Sequence, residues 1–143
     1  MSKNQLNLEK HFKLTDDDFE RSFRLCTLEP VLFTHEAHLR LTWIHLDKYG
    51  LTRALKNIQE DIKKYVSQLG AIDKYHVTVT IAAVHVVNRL MNKSLTSNFL
   101  DFIKENTELK TSFKELINSH YQDNIFELSK AQYEFIEPDK IPF

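Results

Sequence analysis

The sequence predicts an all-α protein, a single-domain bundle of six or seven helices. Apolar residues recur at helical spacing along most of the 143-residue chain. Residues typical of helix starts and helix stops separate these amphipathic stretches. Two glycines and three prolines are also too few for the closely spaced turns of an all-β fold.

The first half of the chain carries the clearest helix signals. Thr15 and Thr34 are each placed to cap a helix, and three aspartates follow Thr15 at the positive end of the helix dipole. Gly50 and Gly70 each follow a long amphipathic stretch, where glycine commonly ends a helix. We therefore expect helices over residues 16–27, 35–49 and 52–69.

The fourth segment carries competing signals. Residues 77–81 alternate and are rich in β-branched side chains, a pattern typical of a strand. The run nevertheless continues to Met91 without a turn residue, and this length favours a buried helix capped by Asp73. The expected helices of the second half cover residues 74–92, 96–105, 110–121 and about 129–135.

Composition excludes several classes of function. Cys26 is the only cysteine, so the chain has no intrachain disulfide and no cysteine-based zinc cluster. The two glycines lie too far apart for a phosphate-binding loop or a dinucleotide fingerprint. A net charge of −1 gives no electrostatic signature of a nucleic-acid partner. No apolar run is long enough for a membrane span, so a membrane partner is not expected.

The length fits one domain. We expect residues 1–14 to be a disordered lead-in and residues 15–143 to form the helical domain. The lead-in is polar and lacks the apolar core of a signal peptide, which predicts a cytoplasmic location. The sequence selects no oligomeric state.

Histidines are the side chains that suggest chemistry. At 100° per residue, His35 and His38 fall on the inward face of the second helix, opposite an expected solvent face that includes Glu36 and Arg40. His76 falls on the apolar side of the fourth helix. Short connections make these two helices parallel, so their first turns should meet at one end of the bundle. No inward carboxylate is expected beside the three histidines.

Three neutral imidazoles at one place can bind a divalent transition metal such as zinc, iron or nickel. His120 is the first choice for an additional contact, and Glu137 and Asp139 are the second. An open coordination position could support hydrolytic or redox chemistry on a small molecule. No residue of the sequence selects between these reactions or identifies the metal.

Three motifs occur in a recognisable order along the chain, namely H-x-A-H-L-R at 35–40, K-Y-H-x-T at 74–78 and F-x-E-P-D at 135–139. Together they resemble a family of small, functionally uncharacterised bacterial proteins of about this length. The resemblance spans roughly residues 15–142 and implies a helical fold without implying a reaction.

The same resemblance bears on the histidines. It implies that His35, His38 and His76 belong to the family's motifs and that His120 does not. Members of the family more typically have a pair of tyrosines where this chain has His120 and Tyr121. This difference argues against His120 as a ligand.

Two other hypotheses belong to different functional classes. The histidines and the helix N-termini could form a metal-free pocket for an anion or another small ligand. Alternatively, the histidines could be hydrogen-bonded core residues of a structural protein that acts through a partner surface.

Overall fold

The computed structural model describes residues 7–143. This part of the chain contains seven α-helices and no β-strand, which confirms the all-α prediction. The α-helices are α1 (Asp16–Arg24), α2 (His35–Gln68), α3 (Val77–Lys93), α4 (Phe99–Glu105), α5 (Glu108–Thr111), α6 (Phe113–Asn118) and α7 (Ser129–Tyr133). Short 3-10 helices cover Lys10–Lys13, Pro30–Leu32 and Ile72–Lys74.

Helix α2 is a hairpin. Gly50, with φ 78° and ψ 174°, interrupts the helical backbone. The Phe33 ring lies 5.5 Å from the His38 ring and 5.4 Å from the Tyr65 ring. A straight helix at about 1.5 Å per residue would hold His38 and Tyr65 roughly 40 Å apart. The chain therefore reverses at Gly50, as the sequence predicts, and we call its two arms α2a (35–49) and α2b (51–68).

Helix α1 begins at its predicted cap, since the Thr15 side chain accepts a hydrogen bond from the Asp18 backbone N–H. It ends at Arg24, three residues before the predicted end. Cys26 has a φ of 59°, a left-handed conformation that stops the helix without a glycine. The Thr27 and Leu28 backbone N–H groups then bond back to the Ser22 carbonyl.

Residues 77–81, whose alternating β-branched side chains are typical of a strand, belong to the continuous helix α3. The length of the apolar run therefore decides the structure of this segment. Its cap differs from the prediction. The His76 side chain, instead of that of Asp73, accepts a hydrogen bond from the Val79 backbone N–H. Asp73 lies in the preceding 3-10 helix. The predicted helix over 110–121 is also divided, because Ser112 adopts a non-helical conformation between α5 and α6.

The core lies between the α2 hairpin, α3 and the flanking helices. Fully buried apolar residues from several elements fill it, including Phe19, Phe23, Leu41, Ile58, Val84 and Phe102. No helix among the described residues has both the length and the apolar character needed to cross a membrane.

The prediction of a disordered lead-in at 1–14 falls partly outside the described residues, which begin at residue 7. Where the structure does describe it, the lead-in is folded. Lys10–Lys13 form a 3-10 helix, and His11 is 1 % exposed. We call residues 9–14 the strap. It packs across the start of α2, because Glu36 and Arg40 on that helix provide partners for it.

Candidate functional site

A buried polar cluster occupies the start of α2. His11 Nε2 lies 2.7 Å from Glu36 Oε1, and Lys110 Nζ donates a 2.5 Å hydrogen bond to Glu36 Oε2. The Glu36 side chain is 6 % exposed. The Lys110 hydrogen bond to Glu36 raises the pKa of this lysine above its usual range. Both oxygens of a buried carboxylate are therefore engaged.

Arg40 attaches the strap to α2. Its guanidinium donates to the backbone carbonyls of His11 at 2.6 Å and Leu14 at 2.8 Å, and to Asp16 Oδ1 at 2.9 Å. It also lies over the Phe19 ring, at 4.9 Å from the ring centre. Three parts of the chain thus meet at one buried cation.

The prediction that Glu36 and Arg40 face solvent is wrong, and so is the prediction that no carboxylate points inward. Both side chains are buried because the strap and α1 cover this face of α2a. Helical periodicity assigns residues to faces, but it does not reveal which polar face another segment covers.

The ring of His11 is oriented by its two neighbours. Arg40 Nη1 lies 3.4 Å from His11 Nδ1, and a guanidinium can only donate. Nδ1 is therefore the acceptor, and Nε2 carries the proton that faces Glu36. Burial lowers the pKa of His11 below its usual range and outweighs the hydrogen bond to Glu36, which acts in the opposite direction. His11 is accordingly neutral at pH 7.

Three side chains of types that can bind a metal converge in this cluster. One donor atom each from Glu9, His11 and Glu36 lie within 4.8 Å of one another, the one such histidine, cysteine or carboxylate group of three in residues 7–143. Glu9 Oε1 is 3.7 Å from His11 Nε2. It also accepts a 2.5 Å hydrogen bond from Thr34, the residue that caps α2.

The cluster carries an excess of negative charge. Three carboxylates (Glu9, Asp16 and Glu36) face two permanent cations (Arg40 and Lys110), while His11 is neutral. One negative charge is left without a permanent cationic partner in the cluster, so the site favours an additional cation over an anion.

Clefts border the cluster on more than one side. One of about 210 Å³ has Glu9, Glu36, Lys104 and Lys110 as its charged residues, together with apolar residues such as Leu100 and Ile103. Another, of about 190 Å³, is lined by Glu9 and His11 among others. A small molecule therefore has space beside the carboxylates.

His35 and His38 lie on the first turns of α2, where His38 is half-buried and His35 is exposed, so the prediction of an inward face is wrong for His35. His35 Nε2 donates to the Leu109 carbonyl at 2.9 Å, so Nδ1 is the ring nitrogen of His35 that remains as a candidate metal ligand. The Nε2 of His38 is buried without a hydrogen-bond partner. Burial, reinforced by His35, lowers the pKa of His38 to about 4, so this ring is neutral at pH 7.

His76 lies at the same end of the bundle. The rings of His35 and Phe113 are 4.7 Å apart, those of Phe113 and Phe126 6.4 Å, and those of Phe126 and His76 6.2 Å. The starts of α2 and α3 thus flank one pair of phenylalanines, the arrangement that parallel helices predict.

Both nitrogens of His76 are engaged. Nδ1 accepts from the Val79 N–H at 3.1 Å, and Nε2 is 3.2 Å from the Ile125 carbonyl. The structure does not group His76 with His35 and His38 in the way it groups the carboxylates with His11. Metal binding by these three histidines stays a prediction.

The additional contacts suggested by the sequence lie elsewhere. His120 Nδ1 is 2.7 Å from the Ile141 carbonyl, and its ring lies beside Phe143, which stacks on His85 in the middle of α3. Asp139 accepts a hydrogen bond from the Gln122 backbone N–H. Glu137 makes no ion pair among the described residues, although its charge opposes the burial effect on the pKa of His85.

Sequence reasoning missed Glu9, His11 and Lys110. The first two precede the first helix cap, where a polar segment reads as a disordered lead-in, and the third lies in a four-residue helix. Two acceptors of Arg40 are backbone carbonyls, which no sequence pattern reveals, and the third, Asp16, carries the signal of a helix start and not of an ion pair. Comparisons with models of protein families, with curated proteins and with solved structures find no match.

Proposed function

We propose that the protein binds one divalent transition metal ion at the start of α2, with Glu9, His11 and Glu36 as the donor residues. The convergence of these three side chains carries the proposal. It retains the kind of cofactor that the sequence predicts, such as zinc, iron or nickel, and assigns it to a different donor set.

The donor chemistry supports a transition metal. Two carboxylates and one imidazole suit zinc, iron, nickel or manganese, whereas calcium prefers a larger set of oxygen donors. The excess negative charge of the cluster favours a cation, and Thr34 already orients the Glu9 carboxylate by a hydrogen bond. Burial of His11 and Glu36 strengthens the attraction, since a charge is weakly screened there.

Metal binding requires two rearrangements. Lys110 has to leave Glu36, which its 40 % exposed side chain can do into solvent. His11 also has to change tautomer, because its single ring proton must move from Nε2 to Nδ1, where it faces the Arg40 guanidinium, itself a donor. We therefore expect moderate affinity that weakens as the pH falls, because protons compete for the same donors.

Chemistry on a small molecule is a further part of the proposal. The ion would have the neighbouring cleft of about 210 Å³ beside it, where an open coordination position could hold a substrate or a water. Hydrolytic and redox reactions both fit this arrangement, and a cytoplasmic location remains the expectation from sequence.

The decisive experiment measures metal content. Protein without a histidine tag is purified after separate zinc, iron, nickel and manganese supplementation, and bound metal is quantified by mass spectrometry. We expect about one ion per chain in the wild type with at least one of these metals. Absence of stoichiometric metal under all four conditions would overturn the proposal and favour a metal-free small-ligand module or a structural protein.

Variants separate the two donor sets. Glu36→Gln and Glu9→Gln should lose the ion, and circular dichroism checks that they fold. His85→Asn is the matched control, because His85 lies outside both sets and should keep full metal content. If Glu9→Gln and Glu36→Gln keep the ion while His35→Asn, His38→Asn and His76→Asn lose it, the sequence-based set is the correct one.

A further inference from the structure

A second cleft shares Lys110 with the cluster. It has a volume of about 340 Å³ and is lined by His35, Lys110, Thr111, Phe113, Lys114 and Glu115. Lys110 borders this cleft and the carboxylate-lined one alike. The same ammonium group can therefore serve either side.

The lining of the second cleft suits an organic anion. Lys114 supplies one positive charge beside the carboxylate of Glu115, and Lys110 would supply a second when it is released from Glu36. Phe113 supplies an aromatic surface, and its ring packs edge-on against that of His35. A ligand with a carboxylate or phosphate group and a small apolar body matches this combination.

Lys110 links the two clefts. In the structure its Nζ is 2.5 Å from Glu36 Oε2 and 3.7 Å from Glu9 Oε2, so its charge is directed toward the carboxylates. A cation that replaces it there releases this charge for the second cleft. The ion and the Lys110 ammonium compete for the same carboxylates. Occupation of the cluster by the ion and binding of an anion in the second cleft should therefore favour each other.

We propose that the cleft between His35 and Lys114 binds a small organic anion, and that Lys110 couples this binding to occupation of the carboxylate cluster. The coupling to an ion rests on the proposed function, whereas the anion site itself does not. The anion would be the substrate or a ligand held next to the metal.

Glu36→Gln tests the coupling without a metal. The glutamine can still accept from His11 through Oε1, but its amide then faces Lys110 with N–H groups that repel the ammonium. With Glu9, at 3.7 Å, as its remaining carboxylate partner, Lys110 should turn toward the second cleft more often in the metal-free variant than in the metal-free wild type. The probe is benzoate, and its binding is measured from the amide chemical shifts of the protein in a nuclear magnetic resonance titration. Benzamide is the uncharged control.

We expect metal-free Glu36→Gln to bind benzoate about twofold to fivefold more tightly than the metal-free wild type, the range of an exposed ion pair. Adding Lys110→Met should abolish this gain, and benzamide should show none. Lys114→Met should weaken benzoate binding in the wild type, and this exposed position keeps the test informative if Glu36→Gln does not fold.

Equal benzoate affinity in the wild type, in Glu36→Gln and in Lys114→Met would overturn the inference. So would equal binding of benzoate and benzamide. The experiment also distinguishes failure of the proposed function from failure of this inference. If no metal binds but Glu36→Gln still gains affinity for benzoate, the proposed function is wrong and the anion site stands.

Discussion

His11 Nε2 lies 2.7 Å from Oε1 of Glu36, although 25 residues separate the two in the chain. Together with the hydrogen bonds from Arg40 to the carbonyls of His11 and Leu14, this contact attaches the strap to α2. The polar end of the bundle is therefore built from two segments, and each of them can be tested by substitution.

Arg40→Met should destabilise the protein by about 2–4 kcal/mol, because it removes the donor of the Leu14 carbonyl, one of the two donors of the His11 carbonyl and the cation beside Asp16. Urea denaturation measures the loss. Arg21→Met is the control, since Arg21 forms an exposed ion pair with Asp18 and should cost less than about 1 kcal/mol. Equal effects of the two substitutions would contradict the role of Arg40.

His76→Ala should remove the cap of α3 and lower stability by about 0.5–2 kcal/mol. His76→Asn should retain most of the stability, because asparagine is a good N-cap residue with an acceptor at a similar position. Thermal denaturation compares the two variants. A loss in His76→Asn as large as in His76→Ala would indicate that the imidazole does more than cap the helix.

Stability should fall as the pH is lowered from about 6.5 toward 4. Burial lowers the pKa of His38 and of His45 to about 4, so the unfolded chain binds protons more readily in this range. The expected loss at pH 5 is of the order of 2 kcal/mol for each histidine. Denaturation at pH 7.5 and at pH 5 measures it.

His45→Leu isolates one of these two contributions. Both nitrogens of His45 are buried without hydrogen-bond partners, and Asp61 lies 3.9 Å away. The leucine variant should be at least as stable as the wild type at pH 7.5, and its loss of stability at pH 5 should be smaller. An unchanged pH dependence would show that His45 is not a source of it.

Gly50→Ala should cost about 1–3 kcal/mol, since Gly50 adopts a backbone conformation that is essentially restricted to glycine. Outside the adjoining backbone, no heavy atom lies within 4 Å of the added Cβ, so the cost comes from the local backbone conformation and not from a clash with the rest of the fold. Gly70→Asn is the control, because asparagine tolerates the left-handed conformation after a helix, and its loss should be smaller. The comparison uses urea denaturation of both variants.

Much of the fold follows from local signals in the sequence. Thr15 and Thr34 cap helices by side-chain hydrogen bonds, and Gly50 and Gly70 end helical stretches with positive φ. These features act over a few residues, so a sequence pattern can reveal them. The length of the fourth segment correctly predicts a helix in spite of its β-branched residues.

The polar cluster could not be predicted in the same way. Whether Glu36 and Arg40 are exposed depends on the strap, a segment 25 to 29 residues away that carries no helix periodicity. The cap of α3 escaped prediction for a different reason. Histidine is not among the common N-cap residues, and Asp73, three residues earlier, is the more typical choice.

The division of the proposed donors between strap and helix has a thermodynamic consequence. Glu9 and His11 come from one segment and Glu36 from another, so an ion held by all three would close a ring of about 25 residues. Because the unfolded chain does not hold these three donors together, the ion would bind the folded state only, and its binding free energy would add to the stability of the fold. The single cysteine of this chain cannot form an internal disulfide. The ion would instead link the strap to α2, and a chelator could remove this link.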